Sequence, residues 1–169
     1  EITNTSHTIL NRLGLYKQGP VSNLDIYKTK TKGTIAGEGA SFFLIAHEPS
    51  TTDYAKLDGL HTFYKPDGIT EIEKQITSFL EKHAVSINDI DLIITGKNGD
   101  AGEDKIYEQL GKTVFDSKDT VDYKYLCGEY PTAAAFAMWL AANTIKAGKL
   151  PAMLNATVTT DKKIDRVLI

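Results

Sequence analysis

The stretch that most constrains what this chain can fold into is residues 124–149, KYLCGEYPTAAAFAMWLAANTIKAGK. A short polar turn, Cys127-Gly128-Glu129-Tyr130-Pro131-Thr132, leads into Ala133, Ala134, Ala135, Phe136, Ala137, Met138, Trp139, Leu140, Ala141 and Ala142. A helix this apolar on every side belongs between other layers of structure, not on a surface. Its first turn is three alanines, so little side chain stands in the way of a neighbouring backbone or a ligand. Thr132 or Pro131 supplies the start signal and Gly148 the stop. Function is expected near the turn that opens this helix.

The 169 residues suffice for one core that closes without staples. A formal net charge of -3, with lysines spread along the chain, argues against a nucleic-acid face; the densest group, Lys28, Lys30 and Lys32, reads as a solvated loop. The single cysteine, Cys127, excludes an intrachain disulfide and fits a reducing compartment, so the cytoplasm is the expected location. No segment approaches the ~18 apolar residues that span a bilayer, and no membrane is expected. The chain opens on Glu1 without a leader and stops at Ile169 inside an apolar run, which reads as a piece of something longer.

In order, Ile9, Leu10, Leu13 and Leu15 predict a helix capped by Thr5 or Ser6 and ended by Gly14. A polar loop, residues 19–32, follows. Residues 34–46, TIAGEGASFFLIA, predict a buried strand with a bulge or a close backbone approach at Gly37 and Gly39. Ala55, Leu57, Gly59, His61 and Phe63 alternate as a second strand. Ile69, Ile72, Ile76, Phe79 and Leu80 share one face of a helix. Asp91-Leu92-Ile93-Ile94-Thr95 is a short apolar strand, and Gly96-Lys97-Asn98-Gly99-Asp100 a sharp loop at its carboxyl end. Then come a helix with Ile106, Tyr107 and Leu110, a strand Thr113-Val114-Phe115, the long buried helix with Met138 and Trp139 in the core, and a closing strand through Ile164, Val167, Leu168 and Ile169. Strands alternating with helices predict an α/β layer sandwich. Ligands in such folds bind at the carboxyl ends of strands, which selects residues 96–104 and 125–132. The second loop opens a helix, whose unpaired N–H groups suit an oxygen or an anion.

Gly37-Glu38-Gly39-Ala40, then residues 90–96 with Asp104 and Glu108 downstream, then Lys124 with Gly128-Glu129 and the alanine run occur in an order and spacing that resembles the later part of β-ketoacyl-acyl-carrier-protein synthases, of the thiolase-like superfamily. There the stretches are a GEGA strand, an HGTGT-type loop followed by D and E, and a K-x-x-x-G-H turn entering an alanine-rich helix. The resemblance covers nearly the whole chain. It implies condensation of acyl groups by a cysteine nucleophile, with two histidines stabilising enolate and oxyanion. The departures bear on exactly that chemistry's donors: Thr95-Gly96-Lys97 stands where the first histidine belongs and Glu129 where the second does. An ionised glutamate only accepts hydrogen bonds and opposes an enolate oxygen. Lys124, Asp104 and Glu108 match scaffold positions.

Cys127 reads as a small half-apolar core residue, with no histidine near it in sequence. Lys97 is either a solvated loop lysine or a contact for the phosphate of a phosphopantetheine arm. His7, His47, His61 and His83 lack metal-ligand spacing, and no metal or cofactor is expected. Gly37-Glu38-Gly39 is too short for a dinucleotide fingerprint and precedes a strand.

The resemblance thus implies an α/β fold, a thiolase-like layered sandwich half with a mixed five-stranded sheet and helices on both faces. Residues 1–48 would be the tail of the preceding half and 49–169 the carboxyl-terminal domain. The expected site is Glu129 and Lys124 at the catalytic position, with Gly96, Lys97 and Gly128 binding substrate. Two functions stay open: a fragment of a fatty-acid or polyketide synthase-like acyltransferase that lines the acyl pocket and is inactive alone, or a non-catalytic partner subunit similar to chain-length factors. Expected partners are an acyl carrier protein and a missing amino-terminal half or partner synthase, in a homo- or heterodimer.

Overall fold

The computed structural model describes residues 3–154 and 162–169. Helix α1 (Asn4–Arg12) is capped by Thr3, not by Thr5 or Ser6: the Thr3 hydroxyl accepts from the Ser6 amide, and the Ser6 hydroxyl accepts from the Thr3 amide, so two orphan donors are satisfied reciprocally. Helix α2 (Ile69–Lys82) follows its apolar period and buries Ile72 and Leu80. Strand β1 (Leu92–Thr95) is buried along its whole length. Helix α3 (Lys105–Leu110), strand β2 (Thr120–Asp122), the single turn α4 (Lys124–Cys127), the long helix α5 (Ala133–Ala147) and strand β3 (Val167–Leu168) complete the order.

The sheet has three strands in the order β2-β1-β3, all parallel, with Ile94 opposite Val121 and Leu92 opposite Val167. This overturns the mixed five-stranded sheet. The reason lies in what each expected strand finds to pair with. Residues 34–46 form only two isolated bridges, Thr34 with Tyr16 and Ala36 with Glu129, and their apolar end is exposed instead of buried, because no free strand edge lies within reach. The Ala55 to Phe63 alternation forms no strand for the same reason. Thr113-Val114-Phe115 is a turn closing α3, with the Phe115 amide bonded to the Leu110 carbonyl at 2.8 Å; the strand comes later, at the more polar Thr120–Asp122. The closing strand shrinks to Val167–Leu168, held by Asp91, whose carboxylate accepts from the amides of Asp165 and Arg166 at 3.0 and 2.9 Å.

Side chains alternate across β1, and this divides the interior. Leu92 and Ile94 join Val121, Ala137, Leu140 and Ala141 in a core under α5. Ile93 joins Ile72, Leu80, Leu110 and Phe115 in a second core under α2 and α3. The small residues Ala133, Ala137 and Ala141 recur every four positions, which brings α5 close to the sheet. Its other side is open: Trp139 is 47% exposed, so the helix is not buried all round and Trp139 is not a core residue. Gly148 ends α5 in the left-handed region at φ 67. Among the described residues, no helix is long and apolar enough to cross a membrane.

Candidate functional site

At the carboxyl end of β1 the chain turns sharply through residues 96–104, and Asn98 organises the turn. Its side-chain oxygen accepts from the Asp100 amide at 2.9 Å. Its side-chain nitrogen donates to Glu103 at 2.8 Å and to Glu129 at 3.1 Å. Asp104 accepts from the amides of Asn98 and Gly99, both at 2.9 Å. Asp100 accepts from the amides of Gly33 and, at 2.8 Å, Gly102, and the Thr34 hydroxyl donates to the Asn98 carbonyl at 2.6 Å. Lys17 reaches in from the amino-terminal segment to donate to the Gly99 carbonyl at 2.9 Å. Every polar group of the loop is thereby matched, which a loop buried at Asn98 and Asp100 requires.

The two acids of this loop are tuned in opposite senses. Burial pushes Asp104 up from its ordinary value despite its two amide donors, and the Asp122 carboxylate adds to the rise. Burial acts on Asp100 in the same direction, but the amides of Gly33, Gly102 and Glu103 and the Lys17 ammonium outweigh it and hold that carboxyl low. Desolvation lowers Lys17 against the pull of Asp100 and Asp104.

The second half of the site is the turn from α4 to α5. Lys124 and Glu129 form a short ion pair, with side chains only 11% and 27% exposed. The Glu129 main chain is fixed separately. Its amide donates to the Ile35 carbonyl at 2.8 Å, and its carbonyl accepts from the Gly37 amide at 3.0 Å. Gly37 and Gly128 face each other across this bridge. A Cβ on Gly37 would collide with the Cys127 carbonyl, and Gly128 sits at φ 73, so both positions need glycine. The close approach expected at Gly37 is real, and its partner is the turn before α5.

A cavity of about 680 Å³ opens between α1, the 96–104 loop and this turn. Leu10, Leu15 and Ile106 give it an apolar side; Asn98, Glu103, Asp104, Lys124 and Glu129 give it a polar end. Of the residues expected from sequence, Glu129, Lys124 and Gly96 line this cavity together. Lys97 does not. It faces a separate recess of about 340 Å³ with Thr95, Lys112 and Phe115, and its ammonium lies 3.9 Å from Asp122. Gly128 lines neither cavity and serves the backbone contact with Gly37. Cys127 is half-buried and donates to the Gly128 carbonyl; burial raises its pKa, so the thiol stays protonated at neutral pH and is a poor nucleophile.

Asn98, Glu103, Thr34 and Lys17 are the members that sequence reasoning missed. The Asn98-Gly99-Asp100 triplet after an apolar strand was the available signal. Chemically, the polar end is rich in acceptors. Both hydrogens of the Asn98 amide are committed to carboxylates, and the Lys124 ammonium is committed to Glu129. Stabilising a developing oxyanion requires donors aimed at it, and these donors point elsewhere. No protein-family model, curated protein or solved structure matches this chain.

Proposed function

We propose that the chain is the carboxyl-terminal part of a β-ketoacyl-acyl-carrier-protein synthase-like protein of fatty-acid or polyketide biosynthesis, lining one wall of an acyl pocket and inactive in condensation by itself. The observation that carries this reading is the Glu129 network. At the position where the resembling family places a histidine donor, a carboxylate is neutralised by Lys124 and tied to Asn98. The apolar side of the 680 Å³ cavity is of a size and character suited to a chain-like ligand.

A second reading, a non-catalytic partner subunit similar to chain-length factors, is favoured by the same network, since it leaves no donor free for an enolate. The two readings part on a supplied nucleophile. Incubating the chain with malonyl- and acyl-carrier protein and following CO₂ should give no release above blank. Adding the polypeptide encoded directly upstream should restore release if the parent is an acyltransferase. If release needs a separate active synthase, the chain is a partner subunit. Condensation by the 169-residue chain alone would overturn both.

A further inference from the structure

Residues 39–66 form neither helix nor strand, yet they are held in place at three points. Just before them, the Gly37 amide is bonded to the Glu129 carbonyl. In the middle, the Lys146 ammonium donates to the carbonyls of Thr51 at 3.1 Å and Asp53 at 2.8 Å, and lies 5.6 Å over the Tyr54 ring. Near the end, the His61 ring stacks on Phe79 with centroids 5.9 Å apart, and its Nε2 lies 2.8 Å from the Gln75 side-chain oxygen. Between the first two points the backbone is unpaired. Among the described residues, no amide or carbonyl of residues 39–49 makes a main-chain hydrogen bond.

This same span carries Phe42, Phe43, Leu44 and Ile45 in succession, with Phe42 93%, Leu44 102% and Ile45 79% exposed. In an extended chain, neighbours point to opposite faces. A strand wet on one face alternates apolar and polar residues, whereas a run apolar on both faces is that of an inner strand covered on both sides. The chain's own sheet cannot supply the neighbours. Its strands are four, three and two residues long, and both of its faces are already packed. A second copy offers only the same short edges. At roughly 150–250 Å² per large side chain, Phe42, Leu44, Ile45, Leu57, Leu60 and Tyr64 expose on the order of 900 Å², comparable with the ~800 Å² one partner gives to a stable interface.

We infer that residues 41–46 are an internal β-strand of a sheet belonging to the amino-terminal half of the parent protein, inserted between two of its strands by main-chain pairing. The inference rests on the reading of the chain as the carboxyl-terminal part of a synthase-like protein. It adds the segment and the mode of attachment.

The test mixes the 169-residue chain with the separately produced polypeptide encoded directly upstream of residue 1. Amide hydrogen exchange is followed at residues 42–46, with amides of α2 and β1 as fold controls. A one-to-one complex is expected, in which the 42–46 amides slow by about 100-fold or more while the controls stay unchanged. Leu44→Asp should weaken the complex by about 10-fold or more; Leu44 is fully exposed in the free chain, so this variant keeps its own fold. A complex that leaves 42–46 unprotected overturns strand insertion while leaving the synthase-like reading standing. Protection through self-association, without the upstream polypeptide, also overturns it in favour of a second copy. Absence of any complex overturns both the insertion and the reading beneath it.

Discussion

Replacing Lys124 by methionine leaves the Glu129 carboxylate without the ammonium that neutralises it, in a turn where 27% of the side chain reaches solvent. Stripping one partner from a buried pair costs ~3–5 kcal/mol. Glu129 keeps its 3.1 Å bond from Asn98 and part of its hydration, so the cost should be smaller, ~2–3 kcal/mol. Glu129→Gln strands the more deeply buried Lys124, but the new amide oxygen still accepts, and ~1–3 kcal/mol is expected. The double variant carries neither charge. It should be more stable than the sum of the single losses implies, by a coupling of ~1–3 kcal/mol. Urea unfolding followed by fluorescence of Trp139, the single tryptophan, reads these differences directly. With m of ~1–3 kcal/mol per molar, the Lys124→Met midpoint should fall by about 1 M or more. Additivity of the two single variants within ~0.5 kcal/mol would refute the claim that this pair holds the turn.

Acid should weaken the fold through Asp91 and Asp100, and Asp104 should act oppositely. Both Asp91 and Asp100 sit below 3.8 in the folded chain, so their stabilisation is complete above that value and is lost as pH falls through their folded pKa; Asp91→Asn or Asp100→Asn should flatten the acid limb of a stability–pH curve, and an unchanged limb would count against the amide cages described above. Asp104 is raised above 3.8, so the folded chain holds its proton where the unfolded chain has lost it, and its contribution improves as pH falls through that window, a sign that side-chain carboxyl NMR titration would expose. Gly37→Ala drives a methyl into the Cys127 carbonyl and should cost ~2 kcal/mol or more by thermal melting, whereas a loss below ~0.5 kcal/mol would mean that the Ile35 to Glu129 bridge is not tightly closed.

The elements legible in the sequence are those whose pattern is satisfied locally. The apolar face of α2, the solid run of β1 and the alanine spacing of α5 each find their cover within the same chain, so period and composition were enough. The runs 34–46 and 55–63 carry equally strong strand patterns, but a strand is completed by its neighbours, and none is within reach. Thr120–Asp122 failed in the opposite sense. It is short and polar, and it becomes a strand only because β1 offers an edge. Within the site, Glu129, Lys124 and Gly96 were legible from the turn before the helix and the loop after the strand. Asn98 was not, since nothing local distinguishes a solvated loop asparagine from one bonded to a glutamate 31 positions away.

The contacts that seat the 96–104 loop come from far along the chain: Thr34 to Asn98 spans 64 positions, Gly33 to Asp100 spans 67 and Lys17 to Gly99 spans 82. Closing loops of that length costs roughly 2 kcal/mol more than closing loops of about ten residues, a charge on the order of events as well as on the end state. During folding, β1 and its neighbouring helices can meet through shorter separations and gain their buried area first. The polar end of the cavity is then the last part to assemble and, by the same kinetics, the first to come apart, so a protease or a partner would meet the chain with its core intact and its site undone.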